Sequence, residues 1–290
     1  MTVAAPRSVI VTGDDFGISS RVNQAILEAH EKGILTRASL MVTGGAFEEA
    51  VALARRRPTL AVGLHLVLIS GCSVLPHAQI PHLVDRQGRF SSRPFWAGLR
   101  YQLHPSAREE LRLEIRAQLE KFRRTGLELS HVDGHRHMHL PPVVLKILLE
   151  LAGEFGVRTV RLPSEELRIA LTLDWGGWLE KVVSSCAFQS LRFLYARRYL
   201  ASAGVGFDER VYGLLQSGRV TEEYLLKLIP RIRAGRVEIY THPTVEEDGA
   251  PLGRGASRAQ LEALLSPRVR EALSSCGFQP SCVSFSSSSS

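Results

Sequence analysis

Short apolar runs alternate with amphipathic segments along most of the 290-residue chain, and this alternation restricts the fold more than any other feature. Residues 8–12, 38–42 and 60–68 are predicted strands because they are rich in β-branched and other apolar residues. Between them, residues 22–32 and 47–57 carry apolar side chains at helical spacing. Strands that alternate with helices favour a parallel sheet in an α/β fold.

The same alternation continues in the second half, with one interruption. The remaining predicted elements are helices at 106–125 and 143–155 and strands at 129–132, 157–162 and 236–240. Residues 164–218 are rich in leucine, aromatic residues and arginine, and we predict a helical insertion or lid there. We therefore expect a single domain over residues 1–283. Residues 284–290 are almost all serine, cannot bury apolar area, and are predicted to be a disordered tail.

The composition of the chain argues against several classes of protein. No stretch of about 18 apolar residues lacks a charge, so no transmembrane helix is expected. The four cysteines show no CxxC spacing, which argues against a zinc ribbon and favours a reducing cytoplasm. The net charge of +7 comes mostly from arginines spread along the chain. Because no nucleic-acid-binding motif accompanies them, we expect a solvated basic surface and no nucleic-acid partner.

Ionisable side chains recur at or near the ends of the predicted strands. They are Asp14, Asp15, His65, Asp133, His135 and His242. In an α/β barrel the carboxyl ends of the strands meet at one rim, so residues far apart in sequence are expected to converge there. Aspartate and histidine are suitable ligands for a divalent cation bound by mixed oxygen and nitrogen atoms. Each residue alone also has a structural explanation, as a turn residue or a hydrogen-bonded core histidine. That all of these separate explanations are true at once is much less reasonable than one shared site.

The segment HVDGHRHMH limits how many ligands it can supply. His131, Asp133 and His135 would face the same way in a continuous strand, and two residues along a strand span about 6.6 Å. That distance is too long for all three to bind one ion unless the chain bends, and Gly134 permits a bend. We therefore expect one ligand from this segment, with the other polar residues supporting it or contacting a substrate.

Four motifs in this order resemble the YdjC-like carbohydrate deacetylase family, of the chitooligosaccharide deacetylase type. They are VTGDDFGIS, VGLHL, HVDGHRHMH and YTHP, and the resemblance covers roughly residues 8–280. The stretches LVLISG and IPHLVDRQGRF and the long aromatic insertion are most similar to the hopanoid-biosynthesis-associated branch. The resemblance implies an α/β, TIM-barrel-like (β/α) barrel that is irregular in its strands.

The resemblance also implies an activity, which is metal-dependent hydrolysis of an N-acetyl group on an N-acetylglucosaminyl substrate. In the hopanoid branch the substrate would be a glycosylated hopanoid lipid, and soluble chitooligosaccharides are the alternative. Matched by position, Asp15, His65 and His135 are the metal ligands, Asp14 is the base and His242 is the acid. One divalent ion is expected, with zinc or magnesium ahead of manganese, cobalt and nickel.

Three further residues are candidates for substrate contact. Arg161 lies at another predicted strand end and could hold a sugar or an acidic group, although a surface arginine is an equal alternative. Asp133 and His137 are the other two candidates.

The arginines and aromatic residues of the insertion are typical of a surface that lies on a membrane, whereas a subdomain that packs its own core is the simpler explanation. We expect a cytoplasmic protein with peripheral contact to the inner membrane face, and a homodimer is an open alternative to a monomer.

Other functions remain as competing hypotheses. Histidine-rich strand ends also serve metal-dependent phosphoesterases and other amidohydrolases on the same scaffold. A binding protein with a purely structural metal would have a closed set of four ligands. Charge alone would allow nucleic-acid binding, which would be strongly salt-dependent.

Overall fold

A parallel sheet forms the centre of the protein in a computed structural model, which describes residues 7–246 and 256–282. The predicted serine-rich tail at 284–290 lies outside the described residues. Within them the strands are β1 (Arg7–Phe16), β2 (Arg37–Leu40), β3 (Ala61–Leu66), β4 (Leu129–Gly134), β5 (Arg210–Tyr212), β6 (Arg236–Thr241) and β7 (Phe278–Pro280). Their order across the sheet is β4–β3–β2–β1–β6–β5, and β7 pairs with the start of β1.

The two edges of the sheet approach each other through the segment that precedes the helical insertion. Val160 bridges to Val132 of β4, and Thr159 bridges to Gly206, which lies four residues before β5. These are isolated parallel bridges, so the prediction of a continuous strand at 157–162 is wrong. Pro163 has no N–H group and cannot extend a ladder beyond this point. The sheet is therefore a curled, incompletely closed barrel, which confirms the predicted α/β, TIM-barrel-like fold.

Helices surround this sheet, and the long periodic ones lie close to where the sequence predicts them. They are α1 (Ser20–Lys32), α2 (Phe47–Arg55), α3 (Pro94–Leu103), α4 (Pro105–Arg123), α5 (Pro142–Phe155), α6 (Leu167–Leu173), α7 (Trp178–Leu191), α8 (Arg197–Ser202), α9 (Glu222–Leu228), α10 (Arg258–Leu265) and α11 (Pro267–Ser275). Ser19 caps α1 by accepting a hydrogen bond from the backbone N–H of Val22. Among the described helices, none has both the length and the apolar character that crossing a bilayer requires.

The segment predicted as a helical insertion contains α6, α7 and α8. A π-helical turn over Arg192–Ala196 joins α7 to α8. Its status as an insertion in a single domain, with limits at about 164 and 218, stays a prediction. The sequence did not predict α3, α9, α10, α11, β5 or β7, and the two strands are only three residues long, which is too short for a periodic pattern.

Glu165 connects the start of this helical segment to the loop that follows β5. Its carboxylate accepts a hydrogen bond from the Leu215 backbone N–H at 2.9 Å and another from the Tyr224 hydroxyl at 3.0 Å. The side chain is buried, with 4% of the residue exposed. Burial raises the pKa of Glu165 to about 7, although its hydrogen bonds act in the opposite direction.

The raised pKa predicts that stability depends on pH. Folding favours the protonated form of Glu165, so its contribution is fully present below the unfolded pKa of about 4.5 and is lost as pH rises through about 7. In the wild type we expect the free energy of unfolding to fall by about 3 kcal/mol between pH 5 and 8. Glu165→Gln should not show this fall. Urea denaturation at several pH values measures this. Exposed Glu109→Gln should keep the wild-type slope, and an unchanged slope in Glu165→Gln would contradict the assignment.

Candidate active site

The adjacent aspartates at the end of β1 lie in a β-bulge. Gly13 lies opposite Ala38 of β2, whereas Phe16 lies opposite Leu40, so β1 contains one extra residue between these pairs. Asp15 has a left-handed backbone with φ of 62°, which aspartate adopts more readily than most residues. The bulge breaks the strict alternation of a strand, and both carboxylates can therefore reach the same end of the sheet.

The register of β3 against β4 sets the orientation of His65. His65 and Asp133 are direct partners across the two strands, and His65 Nδ1 donates a hydrogen bond to Asp133 Oδ1 at 2.7 Å. This bond fixes the imidazole ring and turns Nε2 toward Asp15, whose Oδ1 lies 3.3 Å away. A carboxylate that holds the far nitrogen of a histidine is the usual support for a metal-binding imidazole.

His135 completes a group of three side chains that could hold a metal ion, the candidate metal group. It follows β4, and its Nδ1 lies 3.0 Å from Asp15 Oδ1. One ligand atom from each of Asp15, His65 and His135 lies within 4.8 Å of the others. Asp15 and His65 are buried and His135 is partly exposed, so the group lies at the rim of the sheet and opens to solvent on one side. The structure thus brings the three predicted ligands together.

The charges in this group favour a cation. Burial lowers the pKa of His65, but the charge and hydrogen bond of Asp133 and the hydrogen bond to Asp15 outweigh it and raise the pKa to about 10. For Asp15, burial raises the pKa, but the charges and hydrogen bonds of His135 and His65 hold it well below its ordinary value. The carboxylates that retain a proton on His65 would equally attract a metal ion placed between the rings.

A second group of potential ligands suits a cation less well. Asp14, His65 and Asp133 also place one ligand atom each within 4.8 Å of one another. However, the guanidinium of Arg161 already pairs with both aspartates. A metal ion there would lie against a fixed positive charge, so the donor set of Asp15, His65 and His135 is the one that fits a metal.

Arg161 lies at the centre of a buried ion-pair network. Its guanidinium makes two bonds to Asp14, of 2.6 and 2.8 Å, and lies 2.8 Å from Asp133 Oδ2 and 2.8 Å from Glu238 Oε1. Burial raises the pKa of Asp133, but the charges of Arg161 and His65 hold it well below its ordinary value. The same attraction explains why Arg161 points inward.

This placement corrects two of the predicted substrate contacts. The side chains of Arg161 and Asp133 are both 0% exposed and already paired, so neither presents a surface to a sugar. Sequence reasoning placed Arg161 at a strand end but could not show that three carboxylates surround it. Arg161 and Asp133 instead hold Asp14 and His65 in position.

His137, the third predicted contact, lies in a strained turn beside the candidate metal group. Arg136 and His137 both have left-handed backbones, with φ of 51° and 58°. Nε2 of His137 lies 3.0 Å from the hydroxyl of Tyr240, and the ring of Phe188 from α7 packs edge-on against it at 5.3 Å between centroids. Its role in sugar binding stays a prediction.

His242 directly follows β6, which pairs with β1 on the side away from β3 and β4. The pairing of β1 with β6 sets Gly13 opposite Thr241, so the residues that follow each strand are neighbours. Nε2 of His242 lies 4.0 Å from Asp14 Oδ2, and its side chain is partly exposed. The predicted base and acid therefore lie side by side at the rim.

A family model described as YdjC-like protein matches residues 8–275. The chain belongs to the YdjC-like family. This confirms the resemblance that the four motifs indicate at the level of the family.

Known relatives of this YdjC-like protein share about half of its length. A carbohydrate deacetylase of Brevibacillus brevis is 46% identical over 157 residues, which is 53% of this chain and 59% of the relative. A carbohydrate deacetylase of Geobacillus stearothermophilus is 39% identical over 165 residues, or 57% of this chain and 62% of the relative. The chain thus matches about three fifths of the length of these curated relatives.

One solved structure resembles the YdjC-like protein over nearly its whole length. It is a putative cellobiose-phosphate cleavage protein from Enterococcus faecalis V583, with a TM-score of 0.70 and 24% identity. The match covers 96% of this chain and 97% of the other. At this level of identity the likeness concerns the fold.

Sequence reasoning missed three residues that support the site. Ser39 on β2 donates to Asp133 at 2.7 Å and lies 3.0 Å from His131 Nε2. Glu238 pairs with Arg161, and Tyr240 meets His137. Glu238 was detectable, because a glutamate inside the apolar run RVEIY needs a buried partner.

The network predicts a large loss of stability when Arg161, the cation that Asp14, Asp133 and Glu238 share, is removed. Arg161→Met takes this charge away from three buried carboxylates, although Glu238 keeps Arg37 and Asp133 keeps His65 as partners, and we expect the free energy of unfolding to fall by about 3–5 kcal/mol. Urea denaturation at neutral pH measures the change. Arg116→Met, which breaks an exposed pair with Glu154, is the matched control and should change stability little. A similar small effect for both variants would refute the central role of Arg161.

Proposed function

We propose that this YdjC-like protein is a metal-dependent carbohydrate N-deacetylase that removes the acetyl group from an N-acetylglucosaminyl substrate. The observation that carries the proposal is the convergence of Asp15, His65 and His135 beside an Arg161-paired Asp14. The carbohydrate deacetylases among its relatives support the same reaction class. The reaction consumes one water molecule and yields acetate and a free amine on the sugar.

Asp15, His65 and His135 would hold one divalent cation, with zinc or magnesium ahead of manganese, cobalt and nickel. When bound, the cation supplies Lewis acidity that polarises the acetyl carbonyl and promotes ionisation of the attacking water. Asp133 keeps the His65 ring in the orientation that this role needs, through the bond to Nδ1.

Asp14 would accept the proton of the attacking water. The two bonds from Arg161 hold the carboxylate in one orientation, and the bulge turns it toward the same rim as Asp15. As the water oxygen bonds to the carbonyl carbon, its proton passes to Asp14. Positioned general bases of this kind contribute about 10²–10⁴-fold to the rate.

His242 would give a proton to the leaving nitrogen. It lies 4.0 Å from Asp14 and is partly exposed, so a substrate at the rim can reach both residues. When the carbon–nitrogen bond breaks, the sugar nitrogen takes the proton from His242 and leaves as a neutral amine. Acid and base are thus on neighbouring strand ends, β6 and β1.

For the substrate, we favour a glycolipid of the glycosylated hopanoid type. The motifs of the hopanoid-associated branch and the arginine-rich, aromatic helices of residues 164–218 support this choice. Phe188 of α7 contacts His137, so this segment borders the site where the lipid portion would be sheltered. Acetate release from N-acetylglucosaminyl lipids, compared with soluble chitooligosaccharides, tests the choice. Phosphate release from aryl phosphates would instead indicate a phosphoesterase.

Removal of a metal ligand should abolish both metal binding and activity. We expect His65→Ala and His135→Ala to lose stoichiometric metal, measured by elemental analysis, together with acetate release. His104→Ala, an exposed histidine between α3 and α4, should keep both. A chelator should inactivate the wild type, and added zinc or magnesium should restore it. Full activity in the chelated protein would rule out a metal-dependent mechanism.

Removal of the base should separate metal binding from turnover. Asp14→Asn keeps the shape of the side chain but cannot accept the proton. We therefore expect normal metal content and a kcat that is reduced by about 10²-fold or more. Asp85→Asn, in an exposed turn, is the matched control. An Asp14→Asn protein with wild-type kcat would remove the base assignment.

A further inference from the structure

Exposed large apolar side chains are concentrated in two segments of the protein. Among the described residues, ten of the eleven lie either on α3 or between Trp175 and Tyr199. On α3, Phe95, Leu99 and Leu103 form a stripe at every fourth position, with Trp96 beside it, while the opposite face is buried. Phe95 is 73% exposed and Trp96 is 61% exposed.

The second segment presents the same kind of surface. Trp178, Leu179 and Val183 lie on α7, and Phe193, which is 84% exposed, lies on the π-helical turn that follows. Trp175 precedes α7 and is also exposed. Exposed apolar side chains that form a large patch usually mark an interaction site.

Both segments carry a net positive charge. From Arg86 to Arg108 the chain has five arginines, all exposed, and no aspartate or glutamate. The 175–199 segment has three arginines and Lys181 against one acidic residue, Glu180, in the first turn of α7. Aromatic and aliphatic side chains next to arginines are typical of surfaces that bind anionic lipid.

The two segments flank the candidate active site. The buried Tyr101 of α3 donates a hydrogen bond to the carbonyl of Leu68, just beyond the end of β3. Arg136, beside the ligand His135, reaches the Ser92 carbonyl just before α3 at 3.4 Å. On the other side Phe188 of α7 packs on His137. In addition, α3 and α8 both pack against α5.

We propose that α3 and the 175–199 segment form one docking face for an anionic lipid bilayer, with the active site between them. This deepens the proposed function, on which it rests, because a bilayer at this face would present a glycolipid headgroup to the site. A bilayer is favoured over a second copy of the chain because each segment carries a net positive charge, and two such faces would repel each other.

Flotation of the full-length protein with vesicles tests the proposal. We expect it to float with phosphatidylcholine vesicles that contain phosphatidylglycerol, to bind pure phosphatidylcholine weakly, and to lose binding as salt rises. The double variants Phe95→Ser/Trp96→Ser and Trp178→Ser/Val183→Ser should each weaken partitioning about tenfold or more. Leu113→Ser, which changes the eleventh exposed large apolar residue among those that the structure describes, should bind as wild type does.

The outcomes separate this inference from the proposed function. Absence of flotation, or equal flotation of the α3 variant and the wild type, would overturn the docking face. A dimer in size-exclusion chromatography that the same variants dissociate would assign the face to a second copy and also overturn it. Thermal unfolding checks that the variants fold. Acetate release by the wild type from soluble N-acetylated oligosaccharides, without vesicles, tests the deacetylase activity on its own.

Discussion

The guanidinium of Arg161 pairs with Asp14, Asp133 and Glu238 at once, and the rest of the site depends on this interaction. It neutralises carboxylates that would otherwise repel one another in a buried space. It also gives the adjacent residues Asp14 and Asp15 different surroundings. Asp14 is held by a fixed positive charge, whereas Asp15, one residue later, faces two imidazoles and is left for a mobile cation.

The parts of the site that the sequence predicts are those that strand order alone brings together. Parallel strands must end at one edge, so the ends of β1, β3, β4 and β6 meet whatever the details of packing. The limit of one ligand from the segment HVDGHRHMH likewise follows from simple strand geometry. The bend expected at Gly134 is wrong, because Gly134 is extended at the end of β4 and the chain turns later, at Arg136 and His137. His135 is the residue of that segment that reaches Asp15.

The remaining features depend on packing that spacing does not encode. The side chain of Arg161 points inward because carboxylates on β1, β4 and β6 surround it. Ser39 lies in a sequence that has the pattern of an ordinary strand. The bulge at Asp15 needs a left-handed residue that has no sequence signature beyond aspartate itself. Strand β7 and the bridges at residues 159 and 160 involve too few residues to form a pattern.

Gly63 on β3 shows how far the constraints of the site extend. A Cβ atom at this position would overlap the imidazole of His131, which in turn meets Ser39 and the carboxylate of Asp133. No other amino acid fits without moving that ring. Mutational tolerance at codon 63 should therefore be as low as at the ligands, although this residue touches neither substrate nor metal.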